Sequence, residues 1–137
     1  MGVNYSAVVL ASVAQFVIGA IWYMPLFGDL WGRIHGFDKL SKAEKQVAQK
    51  SMMPLLVVQF IGTLVTTVIL ARLFVLVPQY SVYTLGMMIW LGFFVPVQVS
   101  AVIFGGTESK WIVQKILVMA GASLACLMAA AAIISVL

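Results

Sequence analysis

Four long apolar stretches, separated by shorter polar connections, run along the chain at about residues 3–24, 53–77, 81–104 and 109–137. Residues 3–24 and 81–104 carry no charge, 53–77 carry only Arg72 near their end, and 111–137 carry only Lys115 in their first turns. Each stretch is long enough to cross a hydrocarbon core of about 30 Å at a rise of about 1.5 Å per residue. In lipid the backbone must satisfy its own hydrogen bonds, so stretches this long predict helices. The residue-by-residue alternation of a membrane β-barrel is absent. The expected fold is an all-α membrane protein: a single domain of four transmembrane helices in one bundle, with its longest connection at 25–52.

That connection has structure of its own. Phe27, Leu30, Trp31 and Ile34 fall at i, i+3, i+4 and i+7, with Asp29 and Arg33 on the other side. This predicts a short interfacial amphipathic helix over 26–35, with Pro25 ending the first membrane helix and Gly36 as the stop. Ser41-Lys42-Ala43-Glu44 matches a capping box. A polar helix is expected to start there and run on through Pro54 as a kinked, continuous helix. Val77-Pro78-Gln79 predicts the second turn and Gly105-Gly106-Thr107 the third, with Thr107 capping the fourth helix and Glu108 at its positive end. Pro96, deep in the third stretch, frees the carbonyl of Gly92 and predicts a kink.

Composition agrees with this pattern. Of 137 residues 64% are apolar and 9% charged, against roughly 25% charged in soluble domains. The charges are also unevenly placed. Arg33, Lys39, Lys42, Lys45 and Lys50 lie in the first connection, Lys110 and Lys115 lie at the third, and only Arg72 lies near the second. Short basic loops stay cytoplasmic, so the expected orientation puts both termini outside a cell membrane. The net charge of +4 then gathers at one membrane face, toward lipid headgroups. Nucleic-acid binding would need a solvated basic surface that this distribution does not provide.

Candidate chemistry is sparse. His35 is the lone histidine and Cys126 the lone cysteine, and neither lies in a His, Cys, Asp or Glu cluster. No metal, cofactor or catalytic residue is therefore expected, and the chain reads as a non-enzyme. Polar residues inside apolar helices are the remaining candidates. Gln15, Gln59 and Gln98 each carry an amide that needs partners out of water. They line a pathway or pocket, or they join helices. Gln15 shares a ridge with Tyr23, and Gln98 shares one with Trp90. With Trp22, Thr63 and Glu108 these complete the pathway or pocket candidates. Glu108 is a cation site at a mouth, or a first-turn carboxylate, or a partner for Lys115. Gly121, Ala125 and Ala129 form a small-residue strip on the fourth helix, suited to close packing within the chain or in a homo-oligomer.

Two runs carry a resemblance. Ile21-Trp22-Tyr23-Met24-Pro25-Leu26-Phe27-Gly28-Asp29-Leu30-Trp31 and Trp90-Leu91-Gly92-Phe93-Phe94-Val95-Pro96 resemble the signatures of small bacterial membrane proteins known as domain of unknown function 1761. The first run is one residue shorter than the family pattern between Leu26 and Phe27. The resemblance implies a four-helix inner-membrane protein and carries over no activity or functional residue. Two functions are expected to compete: an oligomeric channel or transporter for a small solute or lipid, and a structural or accessory protein that packs against a partner and transports nothing. The sequence identifies no substrate.

Overall fold

The computed structural model describes residues 2–137. Six α-helices follow in order: α1 (Tyr5–Ile21), α2 (Gly28–Ile34), α3 (Lys42–Leu76), α4 (Val82–Ile89), α5 (Val95–Phe104) and α6 (Ile112–Val136). No strand forms among the described residues. α1 continues through a π-helical turn, Trp22–Leu26, and α4 joins α5 through another, Trp90–Phe94. Four segments are long and apolar enough to cross a membrane: Tyr5–Leu26, Lys42–Leu76, Val82–Phe104 and Ser109–Val136.

Local chemistry explains the ends. Asn4 caps α1 by accepting from the Ala7 amide, and its own side-chain amide donates to the Leu137 carbonyl at 3.1 Å. Residues 4 and 137 therefore meet at one end of the molecule. The capping box at Ser41 is complete, with the Ser41 hydroxyl accepting from Glu44 and the Glu44 carboxylate accepting from the Ser41 amide. α3 begins there and runs through Pro54 without a break, so the second span starts eleven residues before its apolar part. Gly36 (φ 71°) closes the turn after α2, and Gly106 (φ 75°) turns the chain into the last span. Both take the left-handed backbone that a Cβ would disfavour. Thr107 does not cap the last helix as its spacing predicts. A 3₁₀ turn, Ser109–Trp111, intervenes with Glu108 at its cap position, and the Thr107 hydroxyl is buried without a partner.

Both prolines that interrupt a span sit at π-helical turns. Pro25 lies inside Trp22–Leu26, and Pro96 follows Trp90–Phe94 at the start of α5. A proline cannot donate to the ladder and crowds the carbonyl four residues back. The wider π turn takes up that misfit and re-aims the residues around it.

The seam of the molecule is the α1–α6 pair. α3 packs mainly on α1, α4 and α5 pack on α6, and α3 also touches α6. Ala11, Leu70, Leu127 and Ala130 form the buried cluster between them. Alanines on this seam have almost no exposed surface, and such small side chains let helix backbones approach closely. Burial divides accordingly. Of the most apolar window in each span, 28% is buried in the first and fourth, but only 11% in the second and 6% in the third. The second and third spans thus turn most of their surface outward, and α3 touches α4 sparsely.

Candidate functional site

The polar candidates fall into two separate clusters and one open cleft. In the first cluster, the Gln15 amide nitrogen donates to the Thr67 hydroxyl at 2.8 Å and to the Ala11 carbonyl at 3.2 Å. Thr67 passes its proton back to the Thr63 carbonyl at 2.6 Å, and Thr63 does the same to the Gln59 carbonyl at 3.0 Å. Gln15, Ser12 and Thr67 are all buried. The cluster joins α1 to α3, and Cys126 of α6 closes it by donating its thiol to the Gln15 carbonyl at 3.5 Å.

The second cluster joins the third span to α6. The Trp90 indole donates to the Ala120 carbonyl at 2.9 Å and approaches the Ser123 hydroxyl at 3.1 Å. Ser123 shares its proton between the Ala120 carbonyl and the Gln98 side-chain oxygen, at 3.0 and 3.3 Å. The Gln98 nitrogen donates to the Met119 carbonyl at 3.4 Å.

Trp22 makes a bond of the same kind as Trp90. Its indole donates to the Val118 carbonyl at 2.9 Å. Each of the two tryptophan–proline runs thus opens a π turn with a tryptophan hydrogen-bonded to an α6 backbone carbonyl, two residues apart. Trp22 also packs against Phe27, and Tyr23 against Trp31, as tilted ring pairs with centroids at 5.2 and 4.7 Å. These contacts hold α2 against the end of α1. Ile34 is buried and Phe27, Leu30 and Trp31 are half-buried, while Asp29 and Arg33 are exposed.

Gly121 of the small-residue strip is committed within the chain. A Cβ there would lie 2.8 Å from the Trp22 ring, so its bare backbone makes room for that indole. Ala125 and Ala129 are half-buried.

Gln59 is the exception among the amides. It is exposed, and no side-chain hydrogen bond satisfies it among the described residues. Further along the same helix there is a cleft. Between α3 and the third span a groove of about 270 Å³ is lined by Val65, Thr66, Ile69, Leu70, Leu73, Ile89, Phe94 and, at its floor, Leu127. Gln59, Gly62, Thr66, Ile69 and Leu73 recur at intervals of three and four along unbroken α3, so they share one face. The groove-lining face therefore continues toward the start of α3 and ends at the free amide.

A larger cavity, about 410 Å³, lies where the first and third connections meet. Arg33, His35, Asp38, Lys39, Glu108, Lys110 and Lys115 contribute to its wall. Glu108 pairs with Lys110 at 3.6 Å. Lys115 does not join that pair as its spacing allows, because its ammonium sits over the Trp31 ring, 5.7 Å from the centroid.

Of the sequence candidates, then, Gln15 and Thr63 meet in one cluster, Trp90 and Gln98 in another, and Trp22 and Tyr23 between α1, α2 and α6. Gln59 faces outward, and Glu108 stands at the basic end. Thr67 and Ser123, the cross-helix partners of two of the amides, were not separable from other small polar residues in the sequence. Spacing along one helix does not give its rotation against the next. A family model described as protein of unknown function, DUF1761, matches residues 6–135, nearly the whole chain. No curated protein and no solved structure matches it.

Proposed function

We propose that this chain, which belongs to the DUF1761 family, is a non-enzymatic membrane protein that binds an amphipathic lipid, with the acyl chain in the cleft between α3 and the α4–α5 span. The observation that carries the proposal is the cleft itself. Its lining is apolar apart from Thr66, and it lies between the two spans that turn most of their surface outward. Gln59, an amide without a side-chain hydrogen bond among the described residues, stands on the same face of α3. Ligand sites combine a mainly apolar wall with a few convergent polar groups, and Gln59 is placed to meet an ester or headgroup oxygen. Passage of a polar solute through the middle of one chain draws less support, because Gln15, Gln98, Thr67 and Ser123 spend their hydrogen bonds on one another and on the backbone. The cleft is the route on offer for binding and, by extension, for movement of a lipid along the protein.

Gln59 favours a second reading as well. An exposed amide with Gly62 one turn away, also exposed, is a surface on which a second copy could pack and exchange hydrogen bonds. A homo-oligomer through α3 would cover the cleft with protein in place of lipid. The orientation that accompanies both readings places the basic connections in the cytoplasm and both termini outside.

Photolabelling of the unmodified chain separates these readings. A fatty acid bearing a diazirine on its chain, dilute in proteoliposomes, should mark Ile69, Leu73 and Ile89 in preference to Val57 and Phe93, which are more exposed. Even labelling in proportion to exposure would contradict a lipid site. Protection of the α3 residues, together with a cross-linked dimer from cysteine at Gly62 in a Cys126→Ala background, would favour the oligomer.

A further inference from the structure

We infer that the cavity at the basic end is a binding site for the phosphate of an anionic phospholipid headgroup. The inference is independent of the acyl-chain cleft. That cleft lies along Val65–Leu73 of α3, whereas this cavity is built from the turns after α2 and α5 and the first turns of α6.

Charge comes first. Arg33, Lys39, Lys110 and Lys115 line the cavity against two carboxylates, Asp38 and Glu108, which leaves a surplus of two positive charges with His35 neutral. Internal pairing does not absorb it. Among the described residues Lys110–Glu108 is the one ion pair within 4 Å, and both side chains are about two-thirds exposed. Such a pair is worth little and exchanges readily for a better partner. Arg33 has no carboxylate partner, so its planar fork of donors is free for the two-point contact that phosphate oxygens accept. Lys115 is held over the Trp31 ring, which keeps an ammonium in the wall at little cost in mobility.

Shape and hydrogen bonding agree. Gly36 and Gly106, both in the left-handed conformation, let the two turns fold back tightly on facing sides of the cavity. The Thr107 hydroxyl, also in the lining, is buried and has no partner among the described residues. A buried hydroxyl left unpaired costs on the order of 1–3 kcal/mol, and a phosphate oxygen is an acceptor of the right kind to relieve it.

Depth selects the lipid over a soluble phosphate. Ile34 and Trp111 line the same cavity, and Phe104, at the end of the third span beside it, is 86% exposed. Cations and apolar side chains share one cavity wall at the end of the spans, the combination that suits the level where a headgroup meets its chains. Basic pockets between membrane helices hold headgroups by this combination.

The test is titration of the purified full chain in mild detergent, read by native mass spectrometry, with dioleoyl phosphatidic acid, dioleoyl phosphatidylcholine and inorganic phosphate as separate probes. Phosphatidic acid should bind at least about tenfold tighter than phosphatidylcholine, the size of one charge-assisted hydrogen-bond contact. Arg33→Gln and Lys110→Gln should each weaken phosphatidic acid by about the same factor. Arg33→Lys should recover part of the loss, and Lys50→Gln, on α3 outside the cavity, should leave binding unchanged. Circular dichroism of each variant guards against misfolding, and a variant with altered helicity is replaced by Thr107→Val, which removes one donor. Equal binding of the two lipids would overturn the site. So would a Lys50→Gln effect as large as that of Arg33→Gln. Binding of inorganic phosphate as tight as that of phosphatidic acid would overturn its assignment to a lipid.

Discussion

Gly121→Ala probes the contact by which the first tryptophan–proline run docks on α6. The added methyl would lie 2.8 Å from the Trp22 Cζ2 atom, with two further ring atoms at 3.5 and 3.7 Å, where carbon atoms rest at about 3.5–4.0 Å. The ring has little freedom to retreat. Its indole nitrogen is tied to the Val118 carbonyl at 2.9 Å, and Phe27 packs on it. Overpacking of this kind costs about 1–3 kcal/mol, and a broken indole bond would add about 0.6 kcal/mol in a membrane. Alanine also gains helix propensity over glycine, by about 1 kcal/mol, so a bare comparison with wild type would blur the result. Gly19→Ala supplies the reference. Its Cβ meets nothing within 4 Å, so it takes the propensity gain without the clash. Gly121→Ala should therefore unfold more readily than Gly19→Ala by about 1–3 kcal/mol. The measurement is unfolding in mixed micelles with increasing dodecyl sulfate, followed by circular dichroism. In a Trp22→Phe background the gap should shrink, since the clashing ring is gone. Equal stability of the two alanine variants in the native background would refute the assignment of Gly121 to this contact and return it to the pool of residues available for subunit packing.

Two further outcomes are expected. Gln15→Leu and Thr67→Val should each destabilise by only about 0.6 kcal/mol, up to about 1.7, because Thr67 keeps its bond to Thr63 and Gln15 its bond to Ala11; a double-mutant cycle should show coupling of the same size, and no coupling would dissolve the first cluster. In intact cells, cysteine at Asn4 in a Cys126→Ala background should react with a membrane-impermeant thiol reagent, while cysteine at Gln46 should not; the reverse pattern would invert the proposed orientation.

Much of the architecture was legible because single-helix properties decide it. Apolar length gave four spans, Ser41 and Glu44 gave the start of α3, and Gly36 and Gly105-Gly106 gave the turns. The resemblance to a four-helix family of unknown function rested on Trp22–Trp31 and Trp90–Pro96, and the family match covers nearly the whole chain. The relations between helices were not legible. Nothing in the spacing of Gln15 showed that it meets Thr67 on α3, or that Gln59, about two turns before Thr67 on the same helix, is left without a side-chain partner among the described residues. Nor did the two prolines announce π turns, since a kink and a π turn answer the same misfit. Thr107 failed as a cap because a 3₁₀ turn intervenes before α6. The cleft and the basic-end cavity were invisible for the same reason as the clusters: each is made by elements distant in sequence, and their existence depends on which faces α1 and α6 leave uncovered.

The most direct measurement is native mass spectrometry of the chain after exhaustive exchange from membrane into a mild detergent. At least one lipid should remain bound per chain, and Ile69→Trp, which fills the groove, should lower the number retained by one, while Val57→Trp, on the opposite side of α3, should not. Loss of all lipid from the wild-type chain, or identical retention in the two tryptophan variants, would contradict a lipid site in the cleft.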